Sequence, residues 1–95
     1  MQKIYEVLIS DEVKDQTINK IWSKNVLEHT NRIFQSLEYF PTLGHKYIFK
    51  DLGECYGIYI HPFVYFYIIN EDKKIVKIFD SYYGSQNYWS MFTPL

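Results

Sequence analysis

The groups in this chain that could move a proton or hold a phosphate are few, and most lie in its second half. His45 and His61 stand beside predicted turns. An unperturbed imidazole titrates near roughly 6.5, where a general acid or base is useful. Lys46 and Lys50 flank Tyr47-Ile48-Phe49, so on a strand both ammonium groups share one face and could present two charges to a phosphate. The same pattern also fits an edge strand whose lysines discourage pairing with another chain. Lys77 and Arg32, the single arginine, complete the candidate cations, and Tyr83 and Tyr88 add phenols.

Other residues read more plainly. Tyr82, Tyr83, Tyr88 and Trp89 cluster after the last predicted strand, and aromatic rings with little charge suit a protein contact, a cap on the sheet end, or stacking on an unpaired base. His29 falls mid-helix between Leu27 and Thr30, a solvent-facing place. The lone Cys55 cannot form an internal disulfide and fits a buried thiol in a reducing compartment. Asp80, on the last strand, is open to reading as a buried acid or a surface charge. Gly53 and Gly84 are expected at turns with positive φ. Three scattered histidines and one cysteine have no metal-ligand spacing, so no metal and no cofactor is expected. Lys73-Lys74 reads as a solvated turn.

Ninety-five residues make one domain, 1–95, with a modest core. Hydrophobic residues at 47% and aromatics at 20% exclude a disordered chain. Nineteen aromatic rings exceed what one small core needs, which implies an interface. The formal charge is −1, with five basic and six acidic residues in 1–40 and five of each in 41–95. A protein that grips a phosphate backbone concentrates Lys and Arg on one face, so this balance counts against a non-specific nuclease. No apolar run approaches the roughly 20 residues of a membrane span, and the N-terminus lacks a signal-peptide core, so a cytoplasmic location and no membrane partner are expected.

The elements that must position these groups follow from periodicity. Ile4 to Ile9 is short, β-branched and aromatic, and predicts a strand. Ser10 and Asp11 offer N-cap oxygens, and Val13, Thr17, Ile18, Ile21 and Trp22 form one helical stripe. After a break at 23–25, Asn25 with Glu28 suggests a capping box. Val26, Thr30, Ile33, Leu37 and Phe40 then continue the apolar face until Pro41 stops the helix. Strands are expected at Lys46–Lys50, on either side of His61-Pro62 within Cys55–Ile69, and from Ile75 to Tyr82 or Tyr83, with a charged turn at 70–74. The order β-α-α-β-β-β-β predicts an α+β fold, an N-terminal helical hairpin packed on a mainly antiparallel sheet.

In this order the chain resembles the ParE/RelE superfamily of toxins. The resemblance rests on the opening strand Tyr5-Glu6-Val7-Leu8-Ile9-Ser10, the helical pair, and Leu37-Glu38-Tyr39-Phe40-Pro41-Thr42-Leu43-Gly44, similar to the family's L-x-x-x-P-x-x-G helix exit. Phe63-Val64-Tyr65-Phe66-Tyr67 resembles its central strand, and Tyr82-Tyr83-Gly84-Ser85-Gln86-Asn87 sits where ParE-like members often read Leu-His-Gly-Arg-Arg-Asp. The resemblance implies the toxin of a type II toxin–antitoxin module, involved in growth inhibition or plasmid stabilisation and silenced by a cognate antitoxin protein. RelE-like members cut ribosome-bound mRNA with basic residues and often a C-terminal tyrosine, whereas ParE-like members block DNA gyrase and need no nuclease residues.

The departures bear on that choice. Where members often carry Arg before the central strand's end, this chain has Gly57, Ile58 and Ile60, and the Arg-Arg-Asp run becomes Ser85-Gln86-Asn87. Metal-free RNA cleavage needs a base, an acid and cations for the phosphorane. For an endoribonuclease the expected catalytic set is Lys46, Lys50, His61 and Tyr83, drawn from candidates that also include Lys77, Arg32, His45 and Tyr88 and that no spacing singles out. The neutral replacements put a protein target, such as DNA gyrase, on at least equal footing with mRNA. They also fit an inactive toxin that keeps only its antitoxin surface. Tyr82, Tyr88 and Trp89 are the expected partner-binding residues.

Overall fold

The computed structural model describes residues 3–21, 23–49, 53–84 and 92–93, the side chains of Phe49, Phe92 and Thr93 excepted. Trp22, Lys50, Tyr88 and Trp89 therefore lie outside the described residues. The order is β1 (Glu6–Ile9), α1 (Asp11–Lys20), α2 (Lys24–Ser36), β2 (His45–Phe49), β3 (Gly53–Ile60), β4 (Phe63–Asn70), β5 (Ile75–Tyr83) and β6 (Phe92–Thr93). The strands form one sheet in the order β1-β5-β4-β3-β2-β6, antiparallel except where β1 runs parallel to β5. This is the expected α+β arrangement, with a short sixth strand added.

Local chemistry sets the ends of the helices. The Ser10 side chain accepts from the Val13 amide and caps α1, whose first turn carries Asp11 and Glu12 against the positive end of the helix dipole. The cap of α2 is Ser23, which accepts from the Val26 amide, and not Asn25. Asn25 lies inside the helix, because a cap must precede the first helical residue and Lys24 is already helical. The same helix ends at Ser36, short of Pro41, through a turn in which the Leu37 amide donates to Phe34 and the Tyr39 amide to Ser36. That early stop moves Phe40 out of phase, so it is 56% exposed, while Phe34 takes the buried place on α2.

Central strand β4 is buried on both faces from Phe63 to Tyr67. Toward the helices, Phe63, Tyr65 and Tyr67 pack with Val13, Phe34, Leu37, Val76 and Ile78. Toward the other face, Val64 and Phe66 pack with Cys55, Tyr47, Phe79 and Tyr82. Burial in apolar surroundings pushes the Cys55 thiol up to about 11, as suits an inert structural cysteine. Each large side chain taken fully out of water contributes about 1.5–3 kcal/mol, so this strand dominates the core. Tyr65 stands edge-on to Phe34 at 4.9 Å and shares a 3.0 Å hydrogen bond with Thr17, which docks α1 on the sheet. Ser81 donates to Gln16 at 3.1 Å and makes a second link between α1 and β5.

Gly53 has the expected positive φ of 81°. Gly84 does not; its requirement is the ring of Tyr59, which a Cβ would meet at 2.8 Å. The positive φ in the β4–β5 turn falls on Lys74, at 54°.

Candidate functional site

The structure brings two of the expected catalytic residues to one end of the sheet. His61 is exposed in the β3–β4 turn, and its Nδ1 lies 3.2 Å from the Tyr59 hydroxyl. Tyr83 ends β5 opposite Phe63, its ring 4.7 Å from that of Phe63, and the next residue's amide donates to the Pro62 carbonyl at 3.0 Å. Tyr59, 60% exposed, stands beside His61 at the end of β3; it lies opposite Val64, on the face away from the helices, whereas Tyr83, opposite Phe63, packs toward them.

Lys46 lies elsewhere. It sits opposite Tyr56 on β2, three strands away from Tyr83 and four residues further down the ladder. At ordinary strand spacing and rise this is a separation of roughly 20 Å. Its ammonium is 3.3 Å from Glu54, which partly neutralises it. His45 is exposed at the start of β2, Lys77 is exposed on β5, and His29 is exposed on α2. Arg32 borders a separate shallow cleft at the end of α2.

Tyr82, an expected partner-binding residue, is half-buried on the face away from the helices. It donates to Asp80 Oδ2 at 2.7 Å, while Asp80 Oδ1 accepts the Ser81 amide at 2.9 Å. Asp80 is thus a half-buried acid with two donors. A shift in register at Phe66/Tyr67 sets Phe79 and Asp80 together on this face. Desolvation and the bond to Asp80 push the Tyr82 phenol up to about 12. Among the described residues no cluster of three or more His, Cys, Asp or Glu side chains could hold a metal ion.

The feature that sequence reasoning missed lies at the opposite edge. Among the described residues β1 pairs only with β5. The Glu6 amide donates to the carbonyl of Lys74, just before β5, at 2.9 Å, and the Ser10 amide to that of Ile78 in β5 at 3.0 Å. In a parallel ladder the alternate residues then point away, so the N–H and C=O groups of Val7 and Ile9 face the free edge. Beside that edge runs a groove of two adjoining clefts. One, of about 310 Å³, has Ile9 as its floor, Lys14 and Ile18 of α1 on one wall and Leu27, Asn31 and Phe34 of α2 on the other. The second, of about 280 Å³, shares Ile9, Asn31 and Phe34 and continues past Val7 to Gln35 and Glu38. Ile18, expected on the buried stripe, is instead 65% exposed at the groove's mouth. The alternation of Val7 and Ile9 was visible in the sequence, but their place at a free edge comes from the pairing with β5.

No protein-family model matches the sequence, and no curated protein matches it. Among solved structures, a chain of the archaeal RelE–RelB complex from Pyrococcus horikoshii OT3 superposes with a TM-score of 0.72, at 19% identity, over 87% of this chain and 98% of that one. The fold is RelE-like. On this RelE-like fold the basic side chains of the family pattern have no room at Gly57, which is buried: a Cβ there would meet the rings of Phe66 and Tyr47 at 2.8 and 2.9 Å. An arginine at that position would have to displace both rings. The Ser85-Gln86-Asn87 departure lies outside the described residues. No described helix is long and apolar enough to cross a membrane.

Proposed function

We propose that this chain is the toxin of a toxin–antitoxin pair that arrests growth by acting on a protein target, DNA gyrase being the favoured one, and that a cognate antitoxin holds it inactive. The observation that carries the toxin reading is the likeness to a chain of a RelE–RelB complex along nearly the whole domain. The protein target is supported by the charge layout. Of the proposed nuclease set, Lys46 is paired with Glu54 and stands far from His61 and Tyr83, so the described residues gather no cations around those two side chains. Stabilising a phosphorane requires donors or cations aimed at one point.

A second reading keeps His61 and Tyr83 as acid and base of a ribosome-dependent mRNA endoribonuclease, with Lys46 and Lys50 as distant phosphate contacts. Their common place at one end of the sheet favours it. Purified protein separates the two readings when added to a gyrase supercoiling reaction and, in parallel, to a translating extract with labelled mRNA. Inhibited supercoiling with intact mRNA is expected. Cleaved mRNA with normal supercoiling would replace the gyrase reading with the nuclease one.

A further inference from the structure

The last turns of α2 and the turn that follows them build a cleft of about 340 Å³, lined by Arg32, Gln35, Ser36, Tyr39 and Phe40. Arg32 is exposed on the side of α2 turned from the sheet, because Thr30 and Phe34 take the buried side. Backbone bonds hold the aromatic wall in place. The amides of Tyr39 and Phe40 both donate to the Ser36 carbonyl, at 3.1 and 2.9 Å, and the Leu43 amide donates to the Phe40 carbonyl at 3.2 Å. Phe40, at 56%, and Leu43, at 49%, are thereby kept exposed on a fixed turn.

The polar groups of this cleft are not used within the chain. Among the described residues the side chains of Arg32, Gln35 and Tyr39 make no hydrogen bond or ion pair, while Ser36 donates to the Arg32 carbonyl at 3.0 Å. The carboxylates nearest in sequence are engaged elsewhere, Glu28 by Lys24 at 4.0 Å and Glu38 by Lys3 at 3.2 Å. A guanidinium offers its donors in a planar fork that matches a carboxylate. Arginine and tyrosine are also residue types on which binding energy between proteins concentrates. A wall fixed in advance loses less freedom when it is covered. A single cation is too little to follow a nucleic-acid backbone, which is gripped by many.

We propose that this cleft docks a segment of the protein target in which a carboxylate stands next to an aromatic or branched apolar side chain. The carboxylate pairs with Arg32, Gln35 and Tyr39 supply further donors, and the apolar neighbour lies against Phe40. The proposal rests on the protein-target reading above and names the surface that engages the target.

The test uses the full chain and a synthetic probe, acetyl-Gly-Asp-Trp-Gly-amide, with a counterpart in which Asn replaces Asp. Binding is followed by NMR at the Arg32 Nε–H and at the amides of Tyr39 and Phe40. The Asp probe should shift these signals and bind about three- to fivefold more tightly than the Asn probe, the range set by an exposed ion pair. Arg32→Glu should reverse that order, and Phe40→Ser should weaken both probes alike, by about tenfold. In a bacterial host both variants, expressed as folded protein, should relieve the growth arrest caused by the wild-type chain. Absence of shifts up to the solubility limit would overturn the proposal, as would equal binding of the two probes or undiminished arrest by both variants. Shifts with adenosine monophosphate and none with either peptide would assign the cleft to a nucleotide and overturn it as well. Failure of the toxin reading looks different: the peptides bind as expected, yet the wild-type chain is harmless.

Discussion

The buried contact between Thr17 and Tyr65 lends itself to a double-mutant cycle, because it docks α1, and with it one wall of the edge groove, on the middle of the sheet. Tyr65 is 0% exposed and Thr17 8%, with a 3.0 Å separation between their hydroxyl oxygens. Thr17→Val preserves shape but leaves the phenol buried without a partner, a loss of about 1–3 kcal/mol. Tyr65→Phe removes the phenol, while the Thr17 hydroxyl can still turn to the carbonyl one helical turn back, so the loss is about 1 kcal/mol. In the double variant no polar group is stranded, and it should be more stable than Thr17→Val alone. Urea unfolding of all four proteins measures the coupling, expected at about 1–2 kcal/mol. Thermal unfolding should follow, with about 4–8 °C lost per kcal/mol in a domain of this size. If the double variant loses the sum of the two single losses, the hydroxyls are not coupled and the docking account is wrong.

Three further outcomes are expected. Ser23→Ala should cost about 1 kcal/mol in urea unfolding and Asn25→Ala much less, because only Ser23 caps α2; the reverse order would restore the capping box. Gly57→Ala should lose about 1–3 kcal/mol, since its Cβ would press on two rings, and wild-type stability would show that they move freely. At alkaline pH, burial pushes the Tyr67 phenol from 10 up to about 12, outweighing the bond it accepts from the Gly44 amide. The folded state therefore holds this proton more tightly than the unfolded one. The stability that this contributes is complete below pH 10 and falls by about 2 kcal/mol as pH rises to 12. Unfolding midpoints across that range should slope downward, and Tyr67→Phe should make the slope shallower while the raised Tyr82 and Tyr65 phenols keep part of it.

Much of the fold was legible because its signals are local. Ser10 before an apolar stripe, the His61-Pro62 break inside a long aromatic run, and the charged turn at 70–74 each reflect one short-range preference, and each lies where the element order needs it. The misplaced features depend on neighbours distant in sequence. Whether Ser23 or Asn25 caps α2 turns on a two-residue shift in where the helix starts, which both residue types tolerate. Phe34 reaches the core, where it meets the ring of Tyr65, while Phe40 lies past the end of α2 and is exposed. The groove exists because β1 pairs in parallel with β5, the strand furthest from it in the chain except β6, and leaves its other edge open. The place of His61 and Tyr83 at one end of the sheet likewise needs the registers of two strand pairs. Those same registers set Lys46 apart from that group, which no spacing along the sequence could reveal.

The central claim, that this chain is a toxin with a protein target, meets its most direct test in controlled expression of the chain alone in a bacterial host, with viability counts and primer extension on total RNA. Growth arrest with transcripts left intact is the expected result. Normal growth at full expression of folded protein would contradict it, and arrest with codon-positioned cuts in mRNA would overturn the choice of target.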